Sequence, residues 1–154
     1  MSFYSESNFY PDTSIGYLVR VLQQLGQASL DTLFADEGIT GVQWSALIGI
    51  HTGRGETCAA LARDMAHDKG AMTRMIDVLE AKGFVARSRV SEDRRLVNLS
   101  LTDHGRATAL RCREKVIAQW NVWLERWSPD EIEKLIDQLQ RLRAIMETSP
   151  ACAA

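Results

Sequence analysis

Apolar residues follow helical spacing through most of this chain and change to alternation in one short segment. Between positions 68 and 83, a buried helical stripe is predicted by Met72, Met75, Ile76 and Leu79. Beyond Gly83 the period becomes two, and a strand with one buried face is predicted by Val97, Leu99 and Leu101. Residues 85–90 form the predicted partner strand. The change of period therefore predicts a helix followed by a β-hairpin.

A shorter helix precedes this one. Thr57 is its predicted N-cap, and the apolar stripe that follows consists of Leu61, Ala62 and Met65. Residues 67–70 form a polar, glycine-bearing turn in which Asp68 is placed to cap the second helix. Lys82 and Gly83 end that second helix, with glycine at the left-handed position. Two short helices joined in this way indicate a helix-turn-helix.

The predicted hairpin carries basic side chains. Arg87 lies in its first strand, and its tip spans residues 91–95. Arg94 and Arg95 at such a tip suit the narrow minor groove of DNA, where the potential is most negative. Asp93 is expected to orient one guanidinium group and leave the other for phosphate or groove contact. Together with the helix pair, this hairpin predicts a winged helix-turn-helix.

A resemblance to a known family rests on two consecutive motifs, DKGAMTRMIDVLEAKGFVAR and EDRRLVNLSLTDHG. They resemble the MarR family of bacterial transcription regulators. The D-R-R wing tip followed by L-T-x-x-G is specific, and it has the family's spacing from a T-R-x-x-x-x-L-E-x-x-G helix. The strong match covers about residues 57–105. The resemblance implies a dimeric regulator that binds double-stranded DNA.

The predicted DNA contacts divide between bases and phosphates. We assign sequence reading to Thr73 and Arg74, because Gly70 and Ala71 stand where many family members carry Ser or Thr. Lys69 and the wing are assigned mainly to phosphate and groove contact. The complete predicted set is Arg54, Lys69, Gly70, Ala71, Thr73, Arg74, Arg87, Asp93, Arg94 and Arg95.

Helices are also predicted on both sides of the winged helix. One spans residues 14 to about 35 and ends before Gly38, after which Thr40 and Gln43 fit a capping box that begins another. On the C-terminal side, Thr102 begins a helix that is expected to run to about residue 127. The last helix follows Ser128 and Pro129, and its wide apolar stripe is Ile132, Leu135, Ile136, Leu139, Leu142 and Met146.

These outer helices carry more apolar surface than a small winged helix can cover, which predicts a twofold dimer with a second copy of the chain. The fold class is mainly α with a small β-hairpin. The predicted organisation is a flexible arm (1–13), a dimerisation helix (14–37), the winged helix-turn-helix (38–101), C-terminal dimerisation helices (102–148) and a flexible tail (149–154). Two recognition helices in such a dimer predict a palindromic operator.

The charge distribution supports a nucleic-acid partner although the formal net charge is −2. Residues 1–53 carry one basic and five acidic side chains, whereas residues 54–113 carry twelve basic and eight acidic ones. Residues 114–154 carry five basic and seven acidic ones. The positive charge is thus concentrated in the predicted winged helix, as DNA binding requires.

Composition excludes several other classes of protein. No run of about 18 apolar residues predicts a membrane span, and no secretory signal is visible. The three cysteines have no metal-like spacing and an odd count, which suits a reducing cytoplasm. No phosphate loop, nucleophile elbow or acid–base pair supports catalysis. We therefore expect a cytoplasmic protein that is not an enzyme and uses no metal or cofactor.

The family resemblance implies a repressor that is relieved by a small, often aromatic and anionic effector. Such an effector would bind between the dimer helices and the winged helix and change the spacing of the two recognition helices. Tyr17, Arg20, Trp44 and His51 are the pocket candidates, as an aromatic wall, a cation and a hydrogen-bonding group.

Two alternatives remain open from the sequence. In the first, the regulator is gated by thiol oxidation at Cys58, because the positive end of a helix favours a thiolate. In the second, the winged helix is a protein-interaction module that no longer binds DNA, since a fold alone does not fix function. The basic wing tip argues against the second alternative.

Overall fold

The computed structural model of the chain describes residues 2–89 and 97–149. It confirms the predicted fold class of mainly helical structure with one small antiparallel hairpin. In chain order the elements are α1 (Ile15–Leu33), a short 3₁₀ helix (Ala35–Glu37), α2 (Gly41–His51), α3 (Cys58–Asp64), α4 (Lys69–Ala81), β1 (Val85–Arg89), β2 (Val97–Leu101), α5 (Asp103–Trp123) and α6 (Pro129–Thr148). Two compact units divide the chain, residues 1–115 and residues 116–154.

The start of α2 follows the sequence closely. Gly38 adopts a left-handed φ of 68° after the 3₁₀ helix, where a side chain would be strained. Thr40 then accepts a hydrogen bond from the Gln43 N–H at 3.2 Å, and the Gln43 amide oxygen accepts from the Thr40 N–H at 3.1 Å. This reciprocal pair is the predicted capping box. Local chemistry therefore sets where α2 begins.

Aromatic residues join α2 to its neighbours in the first unit. Phe34 is fully buried directly after α1, and its ring lies 5.6 Å from that of Trp44. The indole N–H of Trp44 donates to the backbone carbonyl of Ala109 in α5 at 3.1 Å. Leu47 on the same helix is fully buried. The indole of Trp44 thus packs on one neighbour and hydrogen-bonds another.

The turn between α3 and α4 differs from the prediction. The left-handed residue there is Ala66, with φ 50°, and the turn closes through a hydrogen bond from the His67 N–H to the Ala62 carbonyl at 2.8 Å. The predicted cap at Asp68 is confirmed, and it makes Lys69 the first residue of α4. Gly70 therefore lies in the first turn of the helix, and the predicted turn over residues 67–70 is too long.

The hairpin is attached to the helices along both strands. β1 and β2 pair antiparallel, with Arg87 opposite Leu99. The Leu99 N–H also donates to the Glu56 carbonyl at 2.8 Å, so the segment before α3 covers the outer edge of β2. Leu99 and Val85 are buried against the helices. The predicted tip at residues 91–95 lies outside the described residues.

Helix α5 begins in close contact with the turn that links α4 to β1. Thr102 caps it by accepting from the Gly105 N–H at 2.9 Å, and its own hydroxyl donates to the Gly83 carbonyl at 2.6 Å. A Cβ placed on Gly105 would lie 1.9 Å from the carbonyl oxygen of Phe84. Only glycine allows the helix and this backbone to approach so closely.

Four charged side chains fasten α5 to the 3₁₀ helix. Arg111 donates to Glu37 at 2.8 Å, and Lys115 donates to Asp36 at 2.7 Å and lies 3.4 Å from Glu37. The hydrogen bond from Arg111 holds the pKa of the Glu37 carboxyl below its ordinary value, although burial opposes this. The hydrogen bond from Lys115 similarly lowers the pKa of Asp36.

In the second unit α5 ends at Trp123, four residues before the predicted end near residue 127. After Trp123 the backbone forms turn-type hydrogen bonds, from the Glu125 N–H to the Val122 carbonyl and from the Trp127 N–H to the Leu124 carbonyl. Ser128, before Pro129, is extended with ψ 153°, and with Glu131 it forms a capping box at the start of α6. Within the described ranges, no helix is both long and apolar enough to cross a membrane.

We expect Gly105→Ala to destabilise the first unit by about 2 kcal/mol or more, because the added methyl meets backbone rather than a mobile side chain. Urea denaturation of the purified protein measures this loss. Gly16→Ala is the matched control, since a Cβ there meets nothing within 4 Å. Equal stability of wild type and Gly105→Ala would contradict the close approach.

We expect Glu37→Gln to lower stability at neutral pH and to lose its effect in acid. Because the folded-state pKa of Glu37 is lowered, its contribution is present above the unfolded pKa and disappears as pH falls through the folded pKa. Urea midpoints of wild type and variant should differ at pH 6–8 and converge below about pH 4. Glu114→Gln, at an exposed position of α5, is the control, and its urea midpoint should stay close to that of wild type across the same pH range.

Candidate nucleic-acid interface

Helix α4 presents opposite faces to the core and to solvent. Met72, Ile76 and Leu79 are fully buried. The predicted contact residues Lys69, Gly70, Thr73 and Arg74 are exposed, and Ala71 is half-buried between the two sets. The structure therefore places the predicted contact residues of α4 on one accessible face of the helix. The major groove of DNA is wide enough to admit an α-helix.

The first turn of α4 is organised by Asp68. Its carboxylate accepts from the Ala71 N–H at 2.8 Å, and this hydrogen bond is the main cause that lowers the pKa of Asp68. Arg74 lies near enough to contribute to the same shift. A Cβ on Gly70 would lie 3.1 Å from Asp68 Oδ1 and 3.6 Å from Arg74 Nη1. An alanine at Gly70 would therefore press on the capping carboxylate of Asp68 and make only ordinary contact with Arg74.

Thr73 uses its hydroxyl proton within its own helix. Its Oγ1 donates to the Lys69 carbonyl at 2.9 Å, so the hydroxyl oxygen and the methyl group are what Thr73 offers to a partner. Lys69 is exposed at the start of α4. The surface thus combines two cations with an acceptor and a methyl group, a set that suits both phosphates and base edges.

Arg87 differs from the other predicted contacts. Its guanidinium donates to Asp77 at 2.7 Å and to Glu80 at 2.6 Å. Burial lowers the pKa of Arg87, but these bonds raise it more, so the net pKa lies above its ordinary value. The side chain is 25% exposed. The two carboxylates thus hold the guanidinium against α4 and leave little of it exposed for a phosphate contact.

Asp77 and Glu80 are functional candidates that the sequence reasoning missed. They lie one helical turn apart on α4 and face the middle of β1. The available signal was their spacing of three residues before a strand that carries an inward-facing arginine. A second missed contact is Lys82, which donates to the Gly38 carbonyl at 2.7 Å and ties the end of α4 to the segment before α2.

The predicted effector residues are not gathered in one place. Trp44 and Arg54 line an open cleft of about 510 Å³, together with Ser45, Ile48, Gly49, Thr52, Asp64 and Met65. Arg54 lies 3.9 Å from Asp64. On α1, the Arg20 guanidinium lies over the Tyr17 ring at 5.4 Å. Tyr17, Arg20 and His51 are not among the residues that line this cleft.

His51 and the cysteines complete the candidate chemistry. Nδ1 of His51 is buried and has no hydrogen-bond partner among the described residues. Cys58 is half-buried at the first turn of α3, whereas Cys112 is buried and burial raises its pKa to about 11. Within residues 2–89 and 97–149, no group of three or more His, Cys, Asp or Glu side chains could hold a metal ion. Asp93, Arg94 and Arg95 lie outside these ranges.

Helices α3 and α4 with the hairpin define the class of protein, a winged helix-turn-helix. The family model described as MarR family matches residues 39–97. The multiple antibiotic resistance protein MarR of Escherichia coli is 31% identical over 102 residues, which cover 66% of this chain and 71% of that protein. The chain therefore belongs to the MarR family.

Solved structures agree with this assignment. A cysteine-to-serine mutant of MarR from E. coli, in complex with operator DNA, is 28% identical, with a TM-score of 0.74 over 83% of this chain and 92% of that one. The transcriptional repressor CouR, bound to a 23-mer DNA duplex, is 26% identical, with a TM-score of 0.77 over 86% of this chain and 94% of that one. Because members of the family are transcriptional regulators, the expectation that the chain is not an enzyme is confirmed.

Proposed function

We propose that the protein is a homodimeric transcriptional regulator that binds a palindromic DNA operator, represses from it and is released by a small effector. The main support for DNA binding is the division of α4 into two faces. Met72 and Ile76 lie on its buried face, and Thr73 and Arg74 lie on its exposed face. A helix so anchored presents its polar face outward as one rigid unit.

The relatives support this proposal because two solved neighbours are complexes with DNA. The charge distribution supports it as well. Segment 54–113, which contains α3, α4 and the hairpin, has twelve basic against eight acidic side chains. Lys69 and Arg54 would neutralise phosphates and give affinity, and Thr73 with Arg74 would read bases.

Exposed apolar surface supports the homodimer. Helix α1 has no buried residue, and Leu22 and Leu25 are 66% and 64% exposed. Helix α6 likewise has no buried residue, although its stripe includes Leu135, Ile136 and Leu139. Apolar faces of this kind are covered by another chain in stable proteins. Segments 14–37 and 102–148 are therefore the proposed dimerisation elements.

The effector proposal rests on the cleft beside α2. Its wall combines the Trp44 ring with apolar Ile48 and Met65, and Arg54 supplies a cation at its edge. This composition suits a small aromatic anion. A ligand there would act on DNA binding only if it favoured one dimer geometry over another. Tyr17 and Arg20 remain proposed contributors, because in a dimer a second copy brings its own α1. His51 remains one because it ends α2, the helix that forms one wall of the cleft.

The proposed DNA contacts can be tested one side chain at a time. Arg74→Ala should lose roughly 1–3 kcal/mol of binding free energy on the native operator and should discriminate less well against scrambled DNA. Lys69→Ala should weaken binding to both DNAs and reduce the slope of log K against log salt by about 0.9. Fluorescence anisotropy on the DNA upstream of the protein's own gene, across a salt series, measures both effects.

Arg126→Ala is the matched control for loss of one cation, because that side chain is 91% exposed in the second unit. It should leave affinity and slope unchanged. A folded dimer that binds neither DNA would contradict the proposal and favour a protein-interaction module. Equal, weak binding to both DNAs would contradict sequence-specific regulation from this operator.

The proposed effector site can be tested separately. In a panel of aromatic carboxylates that includes benzoate, at least one compound should release the operator from wild type. The double variant Trp44→Ala with Arg20→Ala should lose this release, because it removes the ring that lines the cleft and the α1 cation that is proposed to reach the cleft in the dimer. Anisotropy titration at fixed protein concentration measures it. An unchanged response in the double variant would rule out this pocket.

A further inference from the structure

Arg87 occupies a position from which its side chain joins two elements of the winged helix. It lies in the middle of β1, and its guanidinium bonds Asp77 and Glu80 on α4. The two carboxylates receive separate nitrogens of the guanidinium, at 2.6 and 2.7 Å. Such short, charge-assisted bonds are directional.

Apolar packing decides which face of α4 turns inward, but it constrains the fine rotation of the helix against the hairpin less tightly. Burial of Met72, Ile76 and Leu79 is strongly favourable but not directional. Two bonds from one planar group to positions one turn apart constrain both the rotation of the helix and its displacement along its axis. Because the Arg87 side chain is three-quarters buried, its ion pairs with Asp77 and Glu80 are screened less by solvent than the exposed ion pairs elsewhere in the protein.

We propose that Arg87 is a positioning residue, which locks the recognition helix α4 to the wing through Asp77 and Glu80 and does not itself contact DNA. This inference rests on the proposed DNA-binding function. It replaces the predicted phosphate contact of Arg87 with an indirect role. It also assigns a favourable role in DNA binding to two acidic side chains, which would otherwise repel phosphates.

The decisive variant is Asp77→Asn with Glu80→Gln. If Arg87 contacted phosphate, or if it only masked the two negative charges, this double variant would bind DNA as tightly as wild type or more tightly. If Arg87 instead locks α4 to the wing, the double variant breaks both ion pairs. We then expect roughly threefold to thirtyfold weaker operator binding, although the variant gains two positive charge units. Fluorescence anisotropy across a salt series measures the affinity and the slope.

Three further results separate the lock from a general structural effect. The salt slope should stay at its wild-type value in Arg87→Ala, because no phosphate contact is removed. Combining Arg87→Ala with the double variant should weaken binding no further than Arg87→Ala alone. Arg87→Lys should lie between wild type and Arg87→Ala, since one ammonium can keep one of the two bonds. Arg126→Ala serves again as the control.

Hydrogen exchange of the full-length protein without DNA tests the lock independently of the proposed function. The double variant should exchange faster than wild type in the second half of α4 and in β1, with unchanged protection in α1 and α6. Unchanged exchange in α4 and β1 would overturn the lock even if the wild type bound no DNA. Faster exchange with equal or tighter operator binding would overturn it as well. A wild-type protein that binds no DNA, with the expected exchange in the double variant, would contradict the proposed function and leave the lock intact.

Should Arg87→Ala fail to fold, the test still stands on the double variant. Asp77 and Glu80 are about half exposed, with side-chain exposures of 55% and 40%, and their amide analogues keep size and shape. An affinity loss that only follows a fall in the folded fraction, as measured by circular dichroism, would overturn the proposal.

Discussion

Burial of one face of α4 is the constraint from which the arrangement of the candidate interface follows. Met72, Ile76 and Leu79 have no exposed surface. Full burial of such a side chain contributes about 1.5–3 kcal/mol, whereas an exposed ion pair contributes about 0–1 kcal/mol. The apolar face therefore decides which side of α4 turns inward. Lys69, Thr73 and Arg74 face solvent as a consequence, not because of any contact that they make themselves.

The ends of α4 are held by different means. Asp68 fixes the first turn by accepting the Ala71 N–H, and Lys82 ties the last turn to the Gly38 carbonyl. Gly83, with φ 75°, reverses the chain into β1. The close approach of Gly105 to Phe84 then sets α5 against this same turn. A small movement of α5 would thus reach α4 through backbone contacts.

Features that depend on neighbours in sequence could be predicted from the chain alone. The buried stripe of α4 follows from its period, and the caps at Thr40, Asp68 and Ser128 follow from the short reach of their side chains. The turn after α3 could not, because its left-handed residue is Ala66, an amino acid with no preference for that conformation.

Features that depend on packing between distant segments were also beyond the sequence. Arg87 was predicted to contact DNA because it is basic and lies in the wing strand. Its pairing with Asp77 and Glu80 arises only when β1 lies across α4. The effector candidates were chosen by residue type, and the structure gathers only Trp44 of the four at the cleft within the described residues. Chemistry identified these side chains, but their arrangement is a property of tertiary structure.

The central claim is that the exposed face of α4 reads the major groove at two symmetric half-sites. Methylation protection of guanine N7 on the bound operator measures this directly, since N7 is accessible only from the major groove. The account predicts two protected clusters with centres about 10–10.5 base pairs apart. Tight binding that leaves every guanine N7 reactive would contradict it, because affinity would then come from the phosphate backbone alone.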